Sequence, residues 1–345
     1  MNTEQLESTA EALVVHGKGI LAADESFGTI QKRFNAVGIE STEDTRRAYR
    51  EMLFTTQGIG DFLGGVILFE ETLRTSTADG RPFPEVLTSL GVLPGIKLDK
   101  GAKDMALFPG EQITEGLDGL RERVAEAAQL GARFAKWRAV INIEGDDIPT
   151  TQAIDSNSEV LARYAALCQE GGLVPIVEPE VLMDGSHTLE RCDEVTHETL
   201  HSLFDALHRH RVHLRGVLLK PNMVVPGKQS PVQASVEQVA RTTVECLLRS
   251  VPASVPGVVF LSGGQSGAQA TAHLNAMNRL YKGQLPWVLS FSYARALQDA
   301  AMKTWGGKPE NIEAAQKAFY DRLRLAALAA TGEYDESMEE QLTAA

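Results

Sequence analysis

The chain carries 33 Lys and Arg against 46 Asp and Glu in 345 residues, a formal net charge of −13 that disfavours nonspecific binding to nucleic acid or anionic lipid. Screening beyond about 10 Å still leaves a local basic cluster free to bind a small phosphorylated substrate. With 43% hydrophobic residues and no apolar run near the roughly 18 residues of a membrane span, the sequence reads as one globular domain, 1–345, the size of an α/β barrel.

The start, MNTEQLESTA, is acidic and polar and lacks the basic and apolar regions of a signal peptide. Cys168, Cys192 and Cys246 form no CxxC pair, so reduced structural thiols in the cytoplasm are expected. Residues 2 to 16 are predicted to form a helix with Leu6, Ala10, Leu13 and Val14 on one stripe, ended near Gly17. Ile20 to Ala23 is a short buried-strand run that delivers Asp24, Glu25 and Ser26 into a loop. Ser41 or Thr42 caps a helix carrying Tyr49, Met52 and Leu53, and FLGGVILFEE gives a second strand. STADGRPFPEV, rich in Gly and Pro, is predicted as loop, and LPGIKLDKG as a third strand presenting Lys97.

From Gly116 the alternation becomes regular. Leu120 to Leu130 is amphipathic and RFAKWRAV reads as a strand containing Lys136 and Arg138. Residues 157 to 170 are helical in pattern, and LVPIVEPE is a strand presenting Glu178. A histidine-rich helix over about 196 to 210 leads into GVLLKPN, where Val217 to Leu219 form an apolar run and Pro221 stops it just after Lys220. A helix over 235 to 249, the strand and glycine turn GVVFLSGGQSG, a helix over 268 to 281, the strand PWVLSFSYAR and two closing helices complete the chain to about Ala330. The polar, acidic segment from about 332 is predicted to be a mobile tail.

Eight short buried strands alternating with amphipathic helices are the pattern of a closed (β/α)8 TIM barrel, with an extra N-terminal helix and C-terminal helices. Lys136, Glu178, Lys220 and Ser262 follow one another at intervals of 42 residues. The C-terminal ends of barrel strands share one mouth, so Asp24, Lys97, Lys136, Arg138, Glu178, Lys220, Ser262 to Gly264, Ser292 and Arg295 are predicted to converge there. A lone lysine after an apolar run can snorkel to solvent, but an amine pressed into a low-dielectric pocket beside another cation can attack a carbonyl and form a Schiff base. The turn Ser262 to Gly267 lets consecutive backbone N–H groups converge on an anion, and Ser292 and Arg295 arriving from the eighth strand favour a phosphate site over a plain tight turn. Lys32, Arg33, Lys97 and Arg138 are candidates for a second phosphate, although Lys32 and Arg33 also fit the solvated face of a short helix.

His197 to His201, HETLH, matches the zinc-peptidase pattern HExxH. The apolar stripe Leu200, Leu203, Phe204 and Leu207 puts the pair at its border and Glu198 on the far side, and no third ligand follows, so no metal is expected.

The segments LAADES, GRPFPEV, GIKLDKG, FAKWR, VPIVEPE, LLKPNMV, FLSGGQS and SFSYARALQ, spread from about residue 18 to 330, resemble the class I fructose-1,6-bisphosphate aldolases. The resemblance implies a homotetrameric lyase of glycolysis and gluconeogenesis, free of metal and organic cofactor, that interconverts fructose 1,6-bisphosphate with dihydroxyacetone phosphate and glyceraldehyde 3-phosphate. It assigns the Schiff base to Lys220, acid and base work to Glu178, the neighbouring cation that favours a neutral amine to Lys136, and orientation of the C4 hydroxyl to Asp24. Ser262, Gly263, Gly264, Ser292 and Arg295 then bind the phosphate nearer the ketone, and Arg33, Lys97 and Arg138 the other. Thr29 stands where the family usually has serine, Ala294 where it usually has glycine, and the sequence ends EEQLTAA rather than in tyrosine. A transaldolase-like Schiff-base enzyme acting on monophosphates, or a barrel serving as an interaction scaffold, are the competing readings.

Overall fold

The computed structural model describes residues 2–343. Eight parallel strands form a closed barrel: β1 (Gly19–Ala23), β2 (Leu63–Leu68), β3 (Leu93–Lys97), β4 (Phe134–Ile141), β5 (Val174–Val181), β6 (Leu218–Leu219), β7 (Gly257–Phe260) and β8 (Val288–Tyr293). Each pairs with its neighbour in chain order, and β8 closes on β1 with Ser292 opposite Ile20. Every residue of β1, β2 and β5 is buried, as parallel strands covered on both faces require.

Two cores result. Outward-facing strand residues such as Leu21, Leu68, Val177 and Leu219 pack against the ring of helices. Inward-facing Ile20, Ala22, Ile67, Phe134, Val174, Ile176, Leu218 and Val259 fill the barrel and meet Leu6, Ala10, Leu13 and Val14 of the helix Thr3–Leu13 and its cap. The N-terminal helix therefore plugs the bottom of the barrel. It can approach because Gly64 and Gly257 carry no side chain: a Cβ would fall 2.6 Å from the carbonyl oxygen of Leu13 at the first and 2.7 Å from the Val14 side chain at the second.

The eight strands and the plug helix match the sequence expectation, and five segments differ. Phe83–Ser89, whose first four residues were expected as loop, is helical: Pro84 sits in the first turn, where its missing N–H leaves no bond unmade, and Phe83, Val86 and Leu87 are buried. A two-stranded hairpin, Ala102–Asp104 with Gln112–Thr114, was not foreseen because it is too short to show a period. The helices Thr151–Glu170 and Leu189–Arg209 begin earlier than their apolar stripes, at Thr150 and Thr188, whose side chains cap them. In the segment from 332, expected to be mobile, Tyr334 is buried, its N–H donates to Asn275 Oδ1 at 3.0 Å, its hydroxyl meets Glu339, and Ser337–Thr343 is helical.

Candidate active site

Side chains two apart on a strand face the same way. The apolar filling of the barrel therefore predicts what lies above it: Ala22 is followed by Asp24, Phe134 by Lys136, Ile176 by Glu178 and Leu218 by Lys220. Four ionisable groups thus form the layer over the apolar core, all buried. Lys136 Nζ lies 2.9 Å from Asp24 Oδ2 and 3.0 Å from Glu178 Oε2, and Lys220 Nζ lies 3.1 Å from Glu178 Oε1. Two ammonium and two carboxylate groups balance, which is what lets charge persist in so dry a place.

Glu178 holds one lysine on each oxygen. The Oε2 contact with Lys136 is an ion pair without hydrogen-bond alignment, so that oxygen keeps its acceptor capacity. Burial pushes the Glu178 carboxyl up, but Lys136, then Lys220, outweigh it and hold it below the usual carboxylate range. Burial likewise raises Asp24, and Lys136 with Lys220 more than offsets that, setting it at about 2. Burial opposes the Lys136 charge, yet Asp24 and Glu178 hold its ammonium above the usual lysine range.

These groups open into a cavity of about 580 Å³ lined also by Glu25, Thr29, Lys97, Arg138 and Ala294. Lys97 and Arg138 stand toward its rim, each tied to a carboxylate: Lys97 Nζ to the Asp99 carboxylate and, at 2.9 Å, to the Asp99 carbonyl, and Arg138 Nε to Glu180. Lys32 is exposed on the helix Phe27–Asn35.

The second predicted anion site lies after β7 and β8. Gly263 and Gly264 take φ of +54° and +89°, conformations that favour glycine, and Ser266 then caps the helix Gly267–Leu280 with a capping box. Phe291 pairs with Phe260, which places Ser292 and Ser262 within two residues of that pair on adjacent strand ends. Ser292 Oγ is buried with no hydrogen-bond partner among the described residues. Arg295 is exposed and opens the helix Arg295–Trp305, lining a cleft with Gly264, Asp299 and Arg322.

Arg33 stands apart from the other two basic residues. It was expected with Lys97 and Arg138, but its guanidinium is taken up by Glu25, by Asp299 Oδ1 at 3.0 Å and by Gln298 Oε1 at 3.4 Å, and it does not line the large cavity. Two carboxylates reach it first. His197 and His201 lie on an outer helix, where His197 Nδ1 bonds Ser250 Oγ at 2.8 Å, and among the described residues no group of three or more His, Cys, Asp or Glu could hold a metal.

Sequence reasoning missed Asp99, Glu180, Glu25, Arg50 and Gln298. Signals existed for two: Asp99 and Glu180 each stand two residues after a chosen residue, Lys97 and Glu178, hence on the same strand face. Arg50 and Gln298 sit inside helices, where nothing local marks them.

A family model described as fructose-bisphosphate aldolase class-I matches residues 5–345. The chain is 58% identical to a probable fructose-bisphosphate aldolase class 1 of Xanthomonas axonopodis pv. citri, over 97% of this chain and 99% of that protein. It is 53% identical to fructose-bisphosphate aldolase 4, cytosolic, of Arabidopsis thaliana, over 97% of this chain and 84% of that one. Among solved structures, fructose-bisphosphate aldolase from Plasmodium falciparum, in a ternary complex with TRAP and a small-molecule inhibitor, superposes with a TM-score of 0.94 at 47% identity, covering 96% of this chain and 95% of that one.

Proposed function

The chain belongs to the class I fructose-bisphosphate aldolase family, lyases of glycolysis, and from that premise we propose that Lys220 is the amine that forms the Schiff base with the substrate ketone. The enzyme cleaves fructose 1,6-bisphosphate to dihydroxyacetone phosphate and glyceraldehyde 3-phosphate. The observation that carries the assignment is Glu178, which places one oxygen 3.1 Å from Lys220 and the other 3.0 Å from Lys136.

Proton bookkeeping explains why such a carboxylate is needed. Starting from the Lys220 ammonium, imine formation ends with one hydrogen on nitrogen and releases one water, so both hydrogens of that water leave the ammonium. Glu178 takes the first, freeing the amine to attack C2, and passes it to the ketone oxygen. It takes the second from the carbinolamine nitrogen and delivers it as water departs. The positive charge lost from the ammonium reappears on the iminium, and the balance of two cations and two carboxylates is unchanged. Glu178, a carboxylate once more, can then receive the C4 hydroxyl proton while the iminium accepts the electron pair of the C3–C4 bond. Asp24, ionised and paired to Lys136, orients that hydroxyl.

Ser262, Gly263, Gly264, Ser292 and Arg295 bind the phosphate nearer the ketone; the unpartnered Ser292 Oγ and the two turn glycines support this. Lys97 and Arg138 bind the other, exchanging Asp99 and Glu180 for phosphate oxygens. Arg33 keeps its carboxylate partners. The reading extends to a cytoplasmic homotetramer working in gluconeogenesis as well as glycolysis, without metal; the cytosolic designation of the Arabidopsis relative supports the location.

Borohydride added with dihydroxyacetone phosphate tests the assignment: it should inactivate the enzyme irreversibly with the adduct on Lys220, chelators should have no effect, and Lys220→Met should abolish both labelling and turnover. Labelling on Lys136 instead would reverse the roles of the two lysines.

A further inference from the structure

Behind the four catalytic ions lies a second buried polar cluster for which the reaction steps above have no use. At its centre is Gln298, wholly buried in the helix Arg295–Trp305 and three residues on from Arg295. Its Nε2 donates to the carbonyl of Ala22 at 2.6 Å, two residues before Asp24 on β1. Its Oε1 accepts from the Tyr49 hydroxyl at 3.0 Å, with Arg33 Nη1 at 3.4 Å and Arg50 Nη1 at 3.5 Å. The same two guanidiniums grip Glu25, the residue after Asp24: Arg50 Nη2 lies 2.6 Å from Oε2, and Arg33 holds Oε1. Arg33 also reaches Asp299 on the Arg295 helix.

We propose that Gln298 is a positioning residue, which with Arg33, Arg50 and Glu25 locks the helix bearing the phosphate-binding Arg295 to the strand end bearing Asp24. Filling this space needs no amide; a methionine has the volume. What the amide supplies is direction, because a buried carbonyl and two buried guanidiniums each tolerate one geometry and are costly when unmet. A substrate anchored by phosphate at Arg295 presents its C4 hydroxyl to Asp24 only if those two points keep a fixed separation. A displacement of about 1 Å in such an arrangement can cost on the order of 100-fold in rate. Glu178 stands on β5 and Lys220 directly follows β6, and among the described residues their ion pairs are with Lys136 and with each other, none with this cluster.

The inference rests on the Schiff-base reading above and predicts a split between two steps. Imine formation uses Lys220 and Glu178; carbon–carbon cleavage also needs Asp24. In Gln298→Met, the maximal rate of fructose 1,6-bisphosphate cleavage should fall by about 10- to 100-fold, while borohydride trapping of Lys220 at saturating dihydroxyacetone phosphate stays close to wild type. Tyr49→Phe, which removes one hydroxyl from the cluster, should show the same split in smaller measure and serves if Gln298→Met does not fold. Equal losses in cleavage and trapping, or no loss in either, would overturn the positioning role. Absence of Lys220 labelling in the wild-type enzyme would instead overturn the Schiff-base reading itself.

Discussion

Asp24 shows how far a single carboxyl can be shaped by its neighbours. Its side chain is buried, which alone would favour the neutral acid, yet Lys136 at 2.9 Å, with Lys220, prevails and lowers it to about 2. A carboxyl depressed on folding stabilises the folded state above its unfolded pKa, and that contribution is lost as pH falls through the folded value. The window is therefore pH 5 down to pH 2, over which Asp24 should account for about 2 kcal/mol. Denaturant titrations of wild type and Asp24→Asn across that range should show the acid-side fall in stability reduced by about this amount in the variant. An unchanged slope would mean that the ion pair does not hold the proton off Asp24. The same low value fits the proposed role of Asp24, orienting a hydroxyl rather than storing a proton.

At the scale of elements, the turn after β7 and the helix behind it act as one unit. Gly263 and Gly264 turn the chain, and Ser266 then caps Gly267–Leu280: its Oγ accepts from the Gln269 N–H at 3.2 Å while Gln269 returns a bond to the Ser266 N–H at 3.3 Å. Ser266→Ala should cost about 1 kcal/mol of stability. Because the cap also steadies the turn, KM for the bisphosphate should rise while the cleavage rate at saturation stays near wild type, which steady-state kinetics would register. The 42-residue interval between Lys136 and Glu178 is likewise an element property. Lys136 pairs with Ile176 in the ladder, not with Glu178, so the two charged side chains stand one inward-facing step apart along the barrel. Equal spacing in the chain thus records the stagger of the strands. The same interval separates Arg138 from Glu180, which also meet.

For the whole molecule, the chain is held at both ends. The helix Thr3–Leu13 plugs the bottom of the barrel, and the segment after Gly332 closes against the helices Gly267–Leu280 and Ile312–Thr331. Arg322, itself buried, bonds the Glu339 carboxylate at 2.5 and 2.7 Å and Thr271 Oγ1 at 3.1 Å, and it lines the cleft that Arg295 shares. Truncation after Thr331 should therefore destabilise the protein by at least about 2 kcal/mol, the worth of burying an aromatic side chain such as Tyr334, and leave the Arg322 guanidinium without its carboxylate. Thermal or chemical denaturation of the truncated chain measures this; an unchanged midpoint would show that the packed segment contributes nothing.

The sequence by itself determined the architecture and which charged residues share the barrel mouth. Short buried runs leading to Asp24, Lys136, Glu178 and Lys220, alternating with amphipathic helices, admit few arrangements other than a closed parallel barrel, because a local period of two fixes which residues face inward and chain order then fixes their neighbours. Even the tail was misread for a physical reason: a polar composition says little when one tyrosine and one glutamate find buried partners far away in the chain. Only the tertiary structure decided which charge meets which. That Glu178 divides its oxygens between two lysines depends on strand stagger. Arg33 turns from the predicted phosphate to Glu25 and Asp299, and Gln298 reaches Ala22, because helices distant in sequence cross behind β1. Periodicity carries the direction of a side chain from its own backbone; the partner at its tip is set by how separate elements pack, and no local pattern contains that.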